Sequence, residues 1–320
     1  MQYDIDTALS ERWYYTVELR PGKFTKGFQF KNIAATRAVL DAIKFSHPTV
    51  LDVSTMEGMF SLLLARRGAQ VTATDAIDLT EKISFLKEIY GEKYFYYPHF
   101  PVRDYANAIF SMQSSKSFSP IKGLRCVQNS SFGYDMVLSS GVIYHVLNPI
   151  DHIMTYRQLT KAGGLCVIES AVLLSDEIEI VHDWLGETKT FGGNATWFMS
   201  TRALEVFLRA CFFDPLGYAW VESAPYGDRK LARLAVVARA VRERPFSDDE
   251  KDFVKGSELI KNYDFKQLYP AAQLTGDSKN PPEVDLTKIH SAPDLRGSSI
   301  VQTSPVNYKD SYLTLRLDDR

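Results

Sequence analysis

The sequence predicts a layered α/β domain over residues 34–242, and three observations lead to it. Short apolar runs alternate with segments of helical period along that whole stretch. Two of the runs, "TVLDV" (49–53) and "AQVTATD" (69–75), carry an acid near or at their ends, Asp52 and Asp75, and each leads through a turn into an amphipathic helix. Both helices close on a glycine, Gly68 and Gly91, the residue that accepts a left-handed conformation at a helix stop.

Taken in order, residues 1–33 read as an arm or lid, in which "WYYTVELRPGKFTKGFQF" alternates aromatic and polar residues around Pro21-Gly22, as a hairpin does. Strand 49–53 is followed by the helix "GMFSLLLARRG", whose Arg66 and Arg67 are expected at a solvated end. Strand 69–75 and the helix "LTEKISFLKEIYG" follow. "YDMVLSS" (134–140) and "GLCVIES" (164–170) are further buried strands, with a helix around "IDHIMTYRQLTKAGG" between them. "TRALEVFLRACFF" (201–213) is amphipathic, with Ala203, Val206, Phe207 and Ala210 on one stripe. The last strands are "GYAWVES" (217–223) and "RLAVVARAV" (233–241). Residues 94–123 are long for a connection and suit an insertion over the active-site end of the sheet. From 243 to 320 prolines interrupt a polar segment, which reads as an extension that wraps the domain or lies partly disordered. With the sheet complete near 241, a chain stopped at 243 is expected to stay soluble and bind its ligand.

Composition excludes several classes. A formal net charge of -2 over 320 residues gives no global attraction to nucleic acid or an anionic membrane surface. No apolar run approaches the roughly 18 residues of a membrane helix, and the acidic N-terminus does not read as a signal peptide. Cys126, Cys166 and Cys211 are odd in number and set in apolar surroundings, as reduced core cysteines of a cytoplasmic protein are. His152 and His182-Asp183 lack metal-ligand spacing, so they read as solvated and no metal is expected.

The turn after the first strand, Ser54-Thr55-Met56-Glu57-Gly58, carries the functional signal. In an α/β sheet it lies at the carboxyl edge, where such folds bind ligands. A dinucleotide needs glycines there so that the backbone can approach a pyrophosphate. Ser54, Thr55 and Met56 would obstruct one. S-adenosylmethionine has no phosphate and presents a sulfonium cation, an amino-acid end and a ribose diol, whose hydroxyls a carboxylate at Asp75 can accept. The plainer alternative is that Asp52 and Asp75 only cap their strands.

Residues 134–170 extend this. Tyr134-Asp135, Val137, Gly141-Val142-Ile143-Tyr144-His145, Pro149, Gly163-Gly164 and Glu169 resemble a motif of the class I S-adenosylmethionine-dependent methyltransferases. The match is to the branch containing the tRNA wobble-uridine carboxymethyl-transferring enzymes, F-D-x-V-x-x-x-G-V-L-Y-H, a proline, then G-G-x-L-V-x-E. Asn194, Thr196 and Trp197 look like the branch's N-x-x-x-W-F segment with one residue fewer before the tryptophan, and "RLAVVAR" (233–239) resembles its final strand. The resemblance covers about residues 10–240. It departs at the first motif, normally V-L-D-V-G-C-G-x-G, where this chain reads Val50-Leu51-Asp52-Val53-Ser54-Thr55-Met56-Glu57-Gly58. The resemblance implies a Rossmann-like, seven-stranded, mostly parallel sheet with helices on both faces and an antiparallel last strand. The expected cofactor site comprises Asp52, Ser54, Glu57, Gly58, Asp75, Ser140, Gly141 and Arg233, with Asp104 the candidate for the adenine-contacting acid. In the carboxymethyl-transferring enzymes a tyrosine and an arginine at the positions of Tyr144 and Arg233 recognise the donor's extra carboxylate, and Lys26 is the nearest match for a second basic group. Arg233 could equally grip a methionine-derived or substrate carboxylate, and S-adenosylmethionine is favoured over its carboxy form.

His145 and Tyr144 are the catalytic candidates. His145 follows the fourth strand at the edge where the methyl should sit, against the alternative of a structural histidine. Trp184, Trp197, Tyr94, Tyr96 and Tyr97 could line an acceptor pocket, or serve simply as core. Three functions compete: methyl transfer to a small-molecule acceptor such as a sugar or secondary metabolite, tRNA wobble-uridine modification, and a non-catalytic partner subunit that has lost its cofactor. A near-neutral chain without a Lys/Arg cluster favours the first over nucleic acid. Assembly as a homo-oligomer stays open.

Overall fold

In a computed structural model of the chain, the structure describes residues 3–28, 30–102, 133–183, 195–243, 245, 275–292, 294–308 and 312–319. The arm begins with α1 (Ile5–Ser10), whose N-cap Asp4 accepts from the Thr7 amide, and continues in β1 (Thr16–Arg20) and β2 (Lys23–Phe24). These two strands form the expected hairpin, with Gly22 at φ 74° in its turn. α2 (Lys31–Asp41) and β3 (Ile43–Lys44) lead into the sheet. Next come β4 (Thr49–Val53), α3 (Met59–Arg66), β5 (Gln70–Thr74), α4 (Thr80–Tyr90) and β6 (Phe95–Tyr97). After the undescribed stretch 103–132 follow β7 (Tyr134–Ser140), α5 (Pro149–Leu159) and β8 (Thr160–Leu173). The chain then forms β9 (Ile180–His182), β10 (Trp197–Ser200), α6 (Thr201–Ala210), β11 (Phe213–Glu222) and β12 (Leu231–Ala240). Short elements close it: β13 (Glu283–Val284), β14 (His290–Ser291), α7 (Gly297–Ile300) and β15 (Thr314–Leu315).

Seven strands in the order β6-β5-β4-β7-β8-β12-β11 make the expected sheet. The five from β6 to β8 are parallel, and β12 runs antiparallel to both β8 and β11. Alternation along each strand sends side chains to two cores. Val50 of β4 joins the core under α2, α3 and α4, while Leu51 and Val53 join the core under α5 and α6. The sheet is therefore covered on both faces, which is why its strands read as continuous apolar runs.

Three expectations need correction. The sheet does not end near residue 241: β14 pairs with β11 at Gly217↔Ser291, and β9 and β10 continue from the end of β8. The C-terminal segment also supplies core, with Ala292, Leu295 and Ile300 buried against α6 and the sheet. On α6 the buried face is Ala203, Leu204 and Leu208, and Val206, Phe207 and Ala210 are only half-buried. The reason lies in the charges: Glu205 is fully buried between Arg202 and Arg209 and accepts the Leu295 amide at 3.0 Å, so this polar trio turns inward. Finally, Arg67 is not solvated, since its guanidinium pairs with Asp41 and donates to the Leu40 carbonyl.

Ile300→Ala should lower the unfolding free energy by about 2–5 kcal/mol, the cost of a core cavity. Urea denaturation checks this; an unchanged midpoint would mean that the C-terminal segment is peripheral.

Candidate functional site

Strand order fixes where a ligand can sit. The chain runs outward from β4 through β5 to β6, then returns on the other side of β4 with β7. The order reverses between β4 and β7, and at such a reversal the connections diverge and leave a crevice beyond the carboxyl ends.

One wall is the β4–α3 turn. Asp52 is 2% exposed, and its Oδ2 accepts from the Thr55 and Ser61 hydroxyls, both at 2.6 Å. Burial pushes its carboxyl up to about 6, with the Asp75 charge adding and the two hydroxyls opposing. Ser54, Met56 and Gly58 have φ of 55°, 51° and 83°. The turn thus keeps the left-handed path at the motif's three glycine positions although two of them carry side chains, at about 1–2 kcal/mol for each non-glycine residue. At the third a side chain would also have to displace a neighbour, because a Cβ on Gly58 would lie 2.5 Å from the Tyr94 hydroxyl. Asp75 staples the turn from β5: it accepts the Met56 amide at 2.8 Å and the Ile77 amide at 3.1 Å, and burial raises its pKa against those bonds.

Glu57 faces the arm. It is 3% exposed, and its Oε1 accepts the Tyr14 amide at 2.9 Å with the Lys82 ammonium 3.7 Å away. Burial raises its pKa. Its Oε2 is buried without a hydrogen-bond partner among the described residues, as are Thr74 Oγ1 and Tyr94 Oη. These three atoms belong to the turn, the end of β5 and the residue beneath Gly58.

The other wall follows β7. The Ser140 hydroxyl bonds the Thr36 hydroxyl at 2.8 Å, and Gly141 has φ 77°. A Cβ on Gly141 would point to the Asn32 amide and the Tyr144 hydroxyl at 3.6 Å and Arg233 Nη2 at 3.8 Å. Arg233 meets Glu169 in a bidentate pair, 2.7 Å from Nε and 2.9 Å from Nη2, and both Nη atoms donate to the Tyr144 hydroxyl at 3.1 Å. Burial works against the arginine charge, but Glu169 and Tyr144 outweigh it and hold the guanidinium protonated. The Tyr14 phenol reaches the same group. Burial pushes it up to about 12, Tyr144 and Glu169 add to the shift, and Arg233 and a hydrogen bond with Asn32 oppose it.

The structure therefore brings Tyr144 and Arg233 together, as expected, and places Asp52, Ser54, Glu57, Gly58, Asp75, Ser140 and Gly141 along one edge. His145 is exposed in the turn after β7, its ring 4.1 Å from that of Tyr144. The matched segment at Thr196-Trp197 grips this turn: both amides donate to the Tyr144 carbonyl, and Trp197 Nε1 donates to the Leu147 carbonyl. Tyr14, Asn32 and Glu169 were missed as site residues. Nothing marks Tyr14 among the aromatics of the arm, whereas Glu169 stood in the motif and could have been read as the partner of Arg233. Lys26 is exposed on the arm. Tyr94 is core beneath Gly58, Tyr96 donates to the Ile77 carbonyl and accepts from the Leu79 amide, and Tyr97 is half-buried. Asp183 is 2% exposed, contrary to its reading as solvated, because β9 carries it under the 195–197 segment. Asp104, Cys126, Trp184 and Asn194 lie outside the described residues. Among the described residues no cluster of three or more His, Cys, Asp or Glu could hold a metal, and no helix is long and apolar enough to cross a membrane.

A family model described as a methyltransferase domain matches residues 26–215. The tRNA U34 carboxymethyltransferase of Shewanella sediminis (strain HAW-EB3) is 36% identical over 165 residues, 48% of this chain and 43% of that protein. That of Shewanella baltica (strain OS155) is 36% identical over 86 residues, 26% of this chain and 24% of that protein. The chain thus spans from about a quarter to less than half of the length of these relatives. Among solved structures, the Burkholderia thailandensis 1,6-didemethyltoxoflavin-N1-methyltransferase, with its namesake compound and S-adenosylhomocysteine bound, is 20% identical at a TM-score of 0.42, covering 67% of this chain and 78% of that one. The N-terminal domain of EvdMO1 with S-adenosylhomocysteine and D-fucose is 16% identical at 0.46, covering 71% and 91%.

The raised Asp52 pKa makes stability depend on pH. A carboxyl raised from 3.8 in the open chain to about 6 when folded contributes stability below pH 4 that is lost as pH climbs through 6. Asp52→Asn should remove that loss, so that from pH 5 to 8 it gains roughly 1–1.5 kcal/mol relative to the wild type. Denaturation curves of both proteins at the two pH values test it; parallel pH profiles would show that Asp52 is not the titrating group.

Proposed function

The chain belongs to the methyltransferase domain family, and from that premise we propose that it transfers a methyl group from S-adenosylmethionine to an oxygen or nitrogen of a small-molecule acceptor. One observation carries the choice of donor. Three buried carboxylates, Asp52, Glu57 and Asp75, line the carboxyl ends of β4 and β5, burial raises the pKa of each, and Glu57 retains a buried oxygen without a partner among the described residues. Such an edge attracts a cation and repels a pyrophosphate. S-adenosylmethionine brings a sulfonium and an ammonium, and when bound it supplies an electrophilic methyl carbon.

The residues present fit that group. Glu57 Oε2 would accept from the ammonium, Asp75 would add the ribose hydroxyls to its backbone donors, and Gly58 leaves the turn without a Cβ. Transfer from a sulfonium is an in-line displacement, so these residues act mainly by holding donor and acceptor in line and excluding water. His145 is the group suited to take a proton from a hydroxyl or ammonium acceptor, since it stands exposed at the end of β7 beside Tyr144.

Wobble-uridine modification of tRNA with a carboxylated donor is the second reading. The meeting of Tyr144 and Arg233 favours it, since the resemblance assigns those two residues to the donor's extra carboxylate. Glu169 takes two N–H groups of Arg233, but the branch's motif carries the same acid, so this pair does not separate the two donors.

Calorimetry should find S-adenosylmethionine bound and NAD not bound, with Asp75→Ala weakening the donor by about 1.5–3 kcal/mol through loss of a charged acceptor. Failure of the wild type to take up either donor would leave the non-catalytic reading, and preference for the carboxylated donor would favour the second.

His145→Ala should lower turnover by about 10²–10⁴-fold with donor affinity nearly intact, and should abolish the rise in wild-type rate across the imidazole pKa. Wild-type turnover in that variant would make His145 structural.

A further inference from the structure

We propose that Arg66 is a positioning residue for the donor site, acting through the strand β15 on the N-terminal arm; the proposal rests on the donor reading above. Helix α3 joins the two places involved. It starts at Gly58 in the crevice and ends at Arg66, a helix length away from the donor edge. At its start, Glu57 accepts the Tyr14 amide of the arm. At its end, Arg66 donates from Nε to the Asp319 carbonyl and from Nη2 to the Leu317 carbonyl.

The segment that Arg66 holds is one of the arm's fastenings. β1 has two neighbours, and one of them, β2, belongs to the arm itself. The other is β15, which pairs in parallel with β1 at Thr16↔Thr314 and Val17↔Leu315. The Leu317 amide donates to Glu18, and the Tyr90 hydroxyl from α4 donates to the carbonyls of Glu18 and Leu315, bridging the two strands. Leu313 and Leu315 are buried in the same core as Trp13, Tyr15 and Val17. Arg37 adds a bond to the Thr314 carbonyl and an ion pair with Asp319 at 3.1 Å. One helix therefore anchors the arm twice, at its first end through Tyr14 and at its last through β15.

Releasing the far anchor loosens the arm, and Tyr14 then satisfies Glu57 for only part of the time. The apparent dissociation constant of a donor that needs the closed arm rises by the inverse of the closed fraction. Local loosening of this kind spares the central strands, whose opening costs far more.

The test uses the full chain with S-adenosylhomocysteine as probe, read by calorimetry and by amide hydrogen exchange. Arg66→Ala and Tyr90→Phe should each speed exchange at residues 12–20 while β4 and β7 stay protected, and should weaken binding roughly three- to thirtyfold. Arg66→Lys, which keeps one donor, should recover part of the loss. Wild-type affinity in a variant whose arm has loosened overturns the proposal, as does an arm whose protection is unchanged in both variants. If Arg66→Ala also exposes β4 and β7, it has unfolded the core and Tyr90→Phe alone decides. A wild-type protein that takes up no S-adenosylhomocysteine overturns the donor reading itself, and this proposal with it.

Discussion

The two hydroxyl bonds onto Asp52 are the interaction on which the rest of the β4–β5 edge depends, because they hold a turn that lacks the residues best suited to it. Glycines at positions 54 and 56 would adopt the left-handed path freely. Here Thr55, at the position between them, spends its hydroxyl on the acid of the preceding strand, and Ser61 reaches back from the first turn of α3 to the same oxygen. Asp75 then takes the Met56 amide. Side-chain bonds have replaced backbone freedom, and α3 still starts where a ligand can use it. The orientation of Glu57, and through it the contact with the arm, follows from that start.

The electrostatics of the two walls differ in kind. Arg233 and Glu169 cancel each other in a bidentate pair, so the β7 side offers hydrogen-bond groups with little net charge. Among the described residues, the β4 and β5 side sets three acids against the ammonium of Lys82, which itself also donates to the Arg12 carbonyl and sits over the Trp13 ring. Field strength at a buried edge scales with such imbalance, since little solvent screens it. A ligand whose positive charge points to β4 and whose neutral or oxygen-bearing part points to β7 matches this asymmetry.

Much of the fold was legible because the parallel strands are buried on both faces. β4 and β7 fall at the positions that their apolar runs indicate, and Gly68 and Gly91 mark the helix stops. The elements that escaped reading share a physical cause. β14 and β15 are two residues long, too short to show any period, and their partners lie far off in the chain. Tyr14 and Arg66 acquire their roles only through contacts 43 and 251 residues or more away, which no local pattern reports. The buried trio of α6 deceived the periodicity in another way, because charged residues on a helix normally mark its wet face. At the site, the pairing of Tyr144 with Arg233 came from resemblance, while the third partner, Glu169, emerged from geometry.

The bond between Glu169 and Arg233 also bears on how β12 finds its place between two strands. β8 is an apolar strand of 14 residues, and until β12 arrives one of its edges can pair with whatever strand comes near. Alanine and valine recur along β12, so neighbouring alignments would bury almost the same hydrocarbon. The charges break that degeneracy. Sliding β12 by one residue would turn Arg233 to the opposite face of the sheet, and sliding it by two so that Arg233 faced Leu173 in place of Ala171 would carry the guanidinium away from its acid, leaving two unpaired charges in a dry interior. A polar pair at the carboxyl edge thus doubles as an alignment mark for a strand of the sheet.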